Sequence, residues 1–183
     1  MIWLRTRAVG THSIRLLVFI GLLVGWAGHA SAQEGRAVPS LRELATRVVA
    51  DPTTYAPTIV VYTARQLDWS SSQSVFKLGY IEANPGYTVT GRPNDMPVSY
   101  AAGNRRLARE TVGLFGWSVA NNASCAVIER SLMARAPGHH RLIRTLGWIE
   151  RAGFASYWSH RLSKPRFEQW QTNERLVREL SAR

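Results

Sequence analysis

Residues 67–86, LDWSSSQSVFKLGYIEANPG, decide how this chain folds. Val61, Ala64, Asp68, Ser72 and Val75 recur at helical spacing on one stripe, which places a carboxylate on or beside the face that a helix would bury. An unpaired charge there is costly, so Asp68 calls for a partner or a purpose. Gly79 follows the last periodic residue as a helix-ending glycine does, and Asn84-Pro85-Gly86 is turn chemistry. Asp68 and Glu82 therefore bracket one helix end, about 15 to 20 Å apart along it by helical rise.

Outward from this stretch the pattern stays helical. Upstream, Ser40 with Glu43 three residues on forms a capping box that opens a short amphipathic helix through Leu41, Leu44 and Val48, ended by Asp51-Pro52. Pro57 suits the first turn of the helix that carries Asp68, 56–78. Downstream, residues 86–97 are rich in Gly, Pro, Asn and Thr and read as a loop. A long helix is predicted over 98–134, ended by Ala136-Pro137-Gly138. Its stretch 111–128 carries no charge for 18 residues and is apolar nearly all round, so it is expected to be buried. Gly116, Ala120 and Ser124 would permit close helix contact. A further helix is predicted over 139–162, with Leu142, Leu146, Ile149, Gly153 and Tyr157 on its buried stripe and Ser163-Lys164-Pro165 closing it. Residues 166–183 form a separate charged amphipathic helix. The fold class expected is all-α: a bundle of three long helices over 56–165 with short flanking helices.

The motif resembles one carried by an uncharacterised group of small bacterial helical, often membrane-associated proteins, in which an Asp followed by small hydroxyl residues precedes Gly-x-x-Glu-x-Asn-Pro. Here the corresponding residues are Asp68, Ser71 and Ser72, then Gly79, Glu82, Asn84 and Pro85, and the resemblance extends over about 56–162. It implies a helical fold near a membrane and brings no activity with it.

The first 32 residues read as a secretory signal, with Arg5, Arg7 and Arg15 in a basic start, an apolar run over 16–27 and Ala30-Ser31-Ala32 as a cleavage site. Residues 33–55 then form a linker and the short helix. The whole chain has 23 Lys and Arg against 12 Asp and Glu, a net charge of +11. The signal holds three of those arginines and no acid, so cleavage leaves +8. Such a charge favours anionic partners, but no basic run exceeds Arg105-Arg106, and a specific nucleic-acid footprint is not expected. Cys125 is the single cysteine, which rules out an intrachain disulfide and reads as a small buried hydrophobe.

Helical phase puts Asp68, Glu129, Glu150, Asn121 and Asn122 near the interior, with pairing to Arg65, Arg130 or Arg151 the ordinary role for the acids. The candidate functional polar residues are Asp68, Ser71, Ser72, Glu82 and Asn84. No pair of histidines stands at ligand spacing, and no nucleophile elbow, phosphate loop or dinucleotide fingerprint is present, so no metal and no cofactor are expected. Trp69, Trp117, Trp148, Trp158 and Trp170, with the arginines, could form an amphipathic surface or ordinary packing. The function expected is that of an exported, periplasmic or otherwise extracytoplasmic envelope protein with a structural or interaction role, its partner an anionic membrane surface or another envelope protein. Two alternatives stand beside it: a small hydrolase or metal-binding protein centred on Asp68 and Glu82, and a polytopic, membrane-embedded protein.

Overall fold

The structure, a computed structural model, describes residues 40–182; the signal segment and the linker up to residue 39 lie outside them. The described chain is an all-α helical bundle of α1 (Leu41–Ala50), α2 (Ala56–Lys77), α3 (Tyr100–Arg135) and α4 (His140–Ser181), linked by short 3-10 turns at Pro52–Thr54, Pro85–Tyr87 and Pro137–His139. Among the described residues there is no strand, only isolated bridges between Glu82 and Asp95 and between Thr88 and Pro97.

Local chemistry accounts for the boundaries. The Ser40 hydroxyl accepts the Glu43 N–H at 3.2 Å and starts α1. Asp51 then caps the next turn, taking the Thr53 N–H at 2.9 Å and the Thr53 hydroxyl at 2.6 Å. Gly79, at φ +87, reverses the chain after α2 in a conformation that side chains other than glycine adopt at a cost. Beyond it the loop is pinned by Glu82 and Asp95, which exchange backbone hydrogen bonds of 2.9 and 3.1 Å, and by the Val98 N–H to the Tyr87 carbonyl at 2.8 Å.

α4 departs from the expected helix boundaries. It runs for 42 residues straight through Pro165, so residues 166–181 continue the preceding helix instead of starting a new one. A proline inside a helix costs about 3 kcal/mol in isolation. Here tertiary contacts offset that cost: α2 packs on α4 more extensively than any other pair of elements, and Arg166 and Asn173, both past the proline, bond to α2.

The buried face of α4 also differs. Leu142, Leu146, Ile149 and Tyr157 are each more than half exposed, while Ile143, Gly147 and Ala155 are buried and Arg151 turns inward beside them. The physical reason is the charge at Arg151, which must meet the carboxylates of Asp51 and Glu129; turning it inward rotates the leucine stripe to solvent. Glu150, expected inside, is exposed. The charge-free part of α3 is likewise not buried all round, since Val112 is 70% exposed. Gly116 meets nothing where a Cβ would stand; the close approaches are made by Gly103 against the Trp69 indole and by Gly147 against the Glu129 carboxylate. Among the described residues no helix is long and apolar enough to cross a membrane.

Candidate functional site

The C-terminal half of α2, the loop behind Gly79 and the distal part of α4 enclose a cavity of about 400 Å3, with Leu107 and Glu110 of α3 closing one side. Asp68, Ser72, Glu82 and Asn84 line it, as do Arg65, Tyr87, Arg166 and Asn173. The chain reversal at Gly79 brings Glu82 back beside α2, so the two acids that bracket the helix end share one chamber. Ser71 is buried next to the cavity without lining it.

Asp68 is 8% exposed, and its carboxylate accepts one hydrogen bond from the Arg166 guanidinium at 3.1 Å. Burial raises its pKa above the ordinary carboxylate value, and the Arg166 charge only partly counters this. Glu82 is raised too, first by burial, with the charge of Asp68 adding to it; the Asn84 N–H, at 2.6 Å from the Glu82 carboxylate, and Arg166 oppose the rise. Asn84 in turn accepts the Gly86 N–H at 3.0 Å, which sets the turn that presents Glu82. Burial and the Glu110 carboxylate push the Tyr87 phenol up to about 12.

The serines are committed to structure. Ser71 and Ser72 both donate to the Asp68 carbonyl at 2.9 Å, and both accept from the Asn173 amide at 3.0 Å. Gln169 donates to the Asn173 carbonyl oxygen at 2.9 Å and fixes that amide's orientation. With their protons on the main chain, neither hydroxyl is held by a base as a nucleophile would need to be. Among the described residues, no three His, Cys, Asp or Glu side chains converge as metal ligands. The chamber can therefore do two things well: recognise charge, and present hydrogen-bond donors and acceptors beside an apolar wall.

Sequence reasoning missed Arg166, Asn173 and Gln169. A signal was present, since 162, 166, 169, 173 and 176 recur at helical spacing across Pro165, but reading that proline as a helix end divided the stripe. The arginines expected to pair with acids do pair, though not with Asp68: Arg65 takes Glu110, Arg130 takes Glu43, and Arg151 takes Asp51 and Glu129.

A second polar cluster lies at the other end of α2. The Arg151 guanidinium bonds to Asp51 at 2.7 Å, to Glu129 and to the Cys125 sulfur at 3.5 Å, and Arg47 reaches the other oxygen of Glu129 at 2.5 Å. Burial works against the charge on Arg151, but the Glu129 carboxylate outweighs it and raises the pKa. Burial also opposes the charge on Asp51, but the Thr53 hydrogen bonds together with Arg151 outweigh it and lower the pKa. Burial and Glu150 push the Cys125 thiol up to about 12, which disfavours the thiolate. No family model, curated protein or solved structure matches the chain.

Proposed function

We propose that the protein is an exported, non-enzymatic binding protein of the cell envelope, in which a bundle of three long helices and the short α1 frames a ligand chamber around Asp68, Glu82 and Arg166. The observation that carries this reading is the chamber itself: two acids of raised pKa are kept in a cavity of about 400 Å3 with a single ion pair between them and Arg166. Carboxyls perturbed by burial and gathered with a charge partner in a cleft are a physical signature of a functional site. Support also comes from the motif that resembles the small helical bacterial proteins, because Asp68, Ser72, Glu82 and Asn84 all reach this chamber.

The protein would rest on the anionic membrane surface. What supports this is the outward stripe of α4, where Leu142, Leu146, Ile149 and Tyr157 run for about 22 Å by helical rise and Arg141, Arg144 and Arg161 are exposed on the same helix. The hydrolase or metal-binding alternative has less support, since the serine protons lie on the main chain and Asp68 is engaged by Arg166.

Native mass spectrometry of protein released gently from an envelope fraction tests the binding role. A small-molecule adduct is expected on the wild type and not on Ala83→Trp, which places an indole at an exposed position on the chamber wall. Identical, adduct-free spectra for both would overturn the reading.

A further inference from the structure

The charges of the chamber do not cancel. Its walls carry two guanidinium groups, Arg65 and Arg166, against three carboxyl groups, Asp68, Glu82 and Glu110. Arg65 is paired with Glu110 at 2.5 Å and Arg166 with Asp68 at 3.1 Å. Among the described residues Glu82 enters no ion pair, and the hydrogen bond it accepts from Asn84 comes from a neutral backbone donor in its own turn. Among the lining residues one formal negative charge is thus left facing a partly enclosed space; Arg106 stands outside that lining, 5.8 Å from the centre of the Tyr87 ring.

The rest of the lining says what kind of cation fits. Trp69, Tyr87 and Leu107 form a single buried cluster with Phe76 packed against it, and Val75 and Leu176 extend the apolar wall. Among the described residues no three His, Cys, Asp or Glu side chains converge, so the chamber lacks the ligand cluster that a metal ion needs. An organic cation needs less: one carboxylate for its charged end, aromatic faces that attract positive charge, and an apolar wall for its carbon body. Gln169, Thr172 and Asn173 supply polar groups on the α4 side.

We infer that the chamber takes a small organic ammonium ion, its charged nitrogen on the Glu82 carboxylate and its carbon body on the Trp69–Tyr87–Leu107 wall. This rests on the reading of the chamber as a ligand site and adds the class of ligand. The Arg166–Asp68 pair stays intact on binding, so the Asp68 carboxylate offsets the Arg166 charge that also acts on Glu82. Burial and the Asp68 charge raise the Glu82 pKa, and an ammonium on the carboxylate would supply a counter-charge that opposes that rise.

Three probes that share a phenyl ring on a two-carbon arm and differ in charge decide the matter: phenethylammonium, 2-phenylethanol and 3-phenylpropanoate, titrated calorimetrically into the wild type near neutral pH. Phenethylammonium should bind at least about tenfold more tightly than either of the others, and Glu82→Gln should remove that preference, as losing one partner of a desolvated charge pair does. Equal or tighter binding of the alcohol or the carboxylate would overturn the ammonium assignment while leaving the chamber a ligand site; silence from all three probes would overturn both. Should Glu82→Gln fail to fold, carboxyl-13C NMR of the wild type replaces it. The Glu82 resonance must then move as phenethylammonium is added, and binding that leaves it unmoved would sink the assignment.

Discussion

The two polar clusters along α2 are built from the same residue types and reach opposite electrostatic ends. Around Arg151, three groups converge on one guanidinium, Glu129 is 3% exposed and also held by Arg47, and the missing side chain of Gly147 gives the Glu129 carboxylate its place. There the charged forms are stabilised: the Asp51 pKa is lowered and that of Arg151 is raised. Around Asp68, one guanidinium that is itself 38% exposed serves a buried acid, Glu82 makes no ion pair among the described residues, and a cavity remains. There the acids are under-stabilised in their charged forms. The contrast separates a cluster whose charges are matched within the fold from one whose acids are left short of counter-charge.

The sharpest way to break the comparison is Arg151→Met. It leaves Asp51 and Glu129 without their shared cation, and removing one partner from a buried pair typically costs about 3 to 5 kcal/mol. Urea denaturation should show that loss; a change below about 1 kcal/mol would mean the Arg151 cluster is not structural.

Next in size are Gly147→Ala and Gly103→Ala. A Cβ at either site would overlap its neighbour, the Glu129 carboxylate or the Trp69 indole, and forced repacking of this kind costs about 1 to 3 kcal/mol. Thermal melts should place both variants below the wild type. Gly116→Ala, whose Cβ meets nothing, should be neutral or slightly stabilising.

Asp68→Asn should do less. Its partner Arg166 is partly exposed and regains water when the pair is lost, so the cost should stay within about 1 kcal/mol. A loss comparable with that of Arg151→Met would make the two clusters alike.

The smallest effect is in the pH dependence, and its sign differs between the clusters. With raised pKa values, Asp68 and Glu82 hold protons in the folded chain that the unfolded chain has released, so they make stability fall as pH rises from the ordinary carboxylate value of about 4 through their raised ones. Asp51 is depressed, so its contribution is complete above the ordinary value and is lost as pH falls through its lowered one. Urea midpoints across the acid range should show the double variant Asp68→Asn with Glu82→Gln flattening the upper limb and Asp51→Asn flattening the lower. The reverse assignment would contradict the electrostatic contrast.

Much of this was legible in the residues alone. Helical period, the Ser40 cap, the Gly79 stop and the Asn84-Pro85-Gly86 turn are short-range effects, and they delivered the all-α class, the Asp68 helix and its termination. The stripe of Val61, Ala64, Asp68 and Val75 is buried as its spacing implies. Half of the chamber was visible for the same reason, because Asp68, Ser72, Glu82 and Asn84 lie within 17 residues of one another.

The other half was decided only by tertiary structure. Whether Pro165 ends a helix depends on what the next turns touch, and here Arg166 and Asn173 touch α2 across a separation of about a hundred residues. Whether a leucine stripe faces in or out depends on competition for the same helix face, and on α4 the ion pairs of Arg151 with Asp51 and Glu129 took the inward side from Leu142 and Leu146. Periodicity reports which residues share a face. Which face is buried is set by the energies of groups far away in the chain, above all by the cost of leaving a buried charge without its partner.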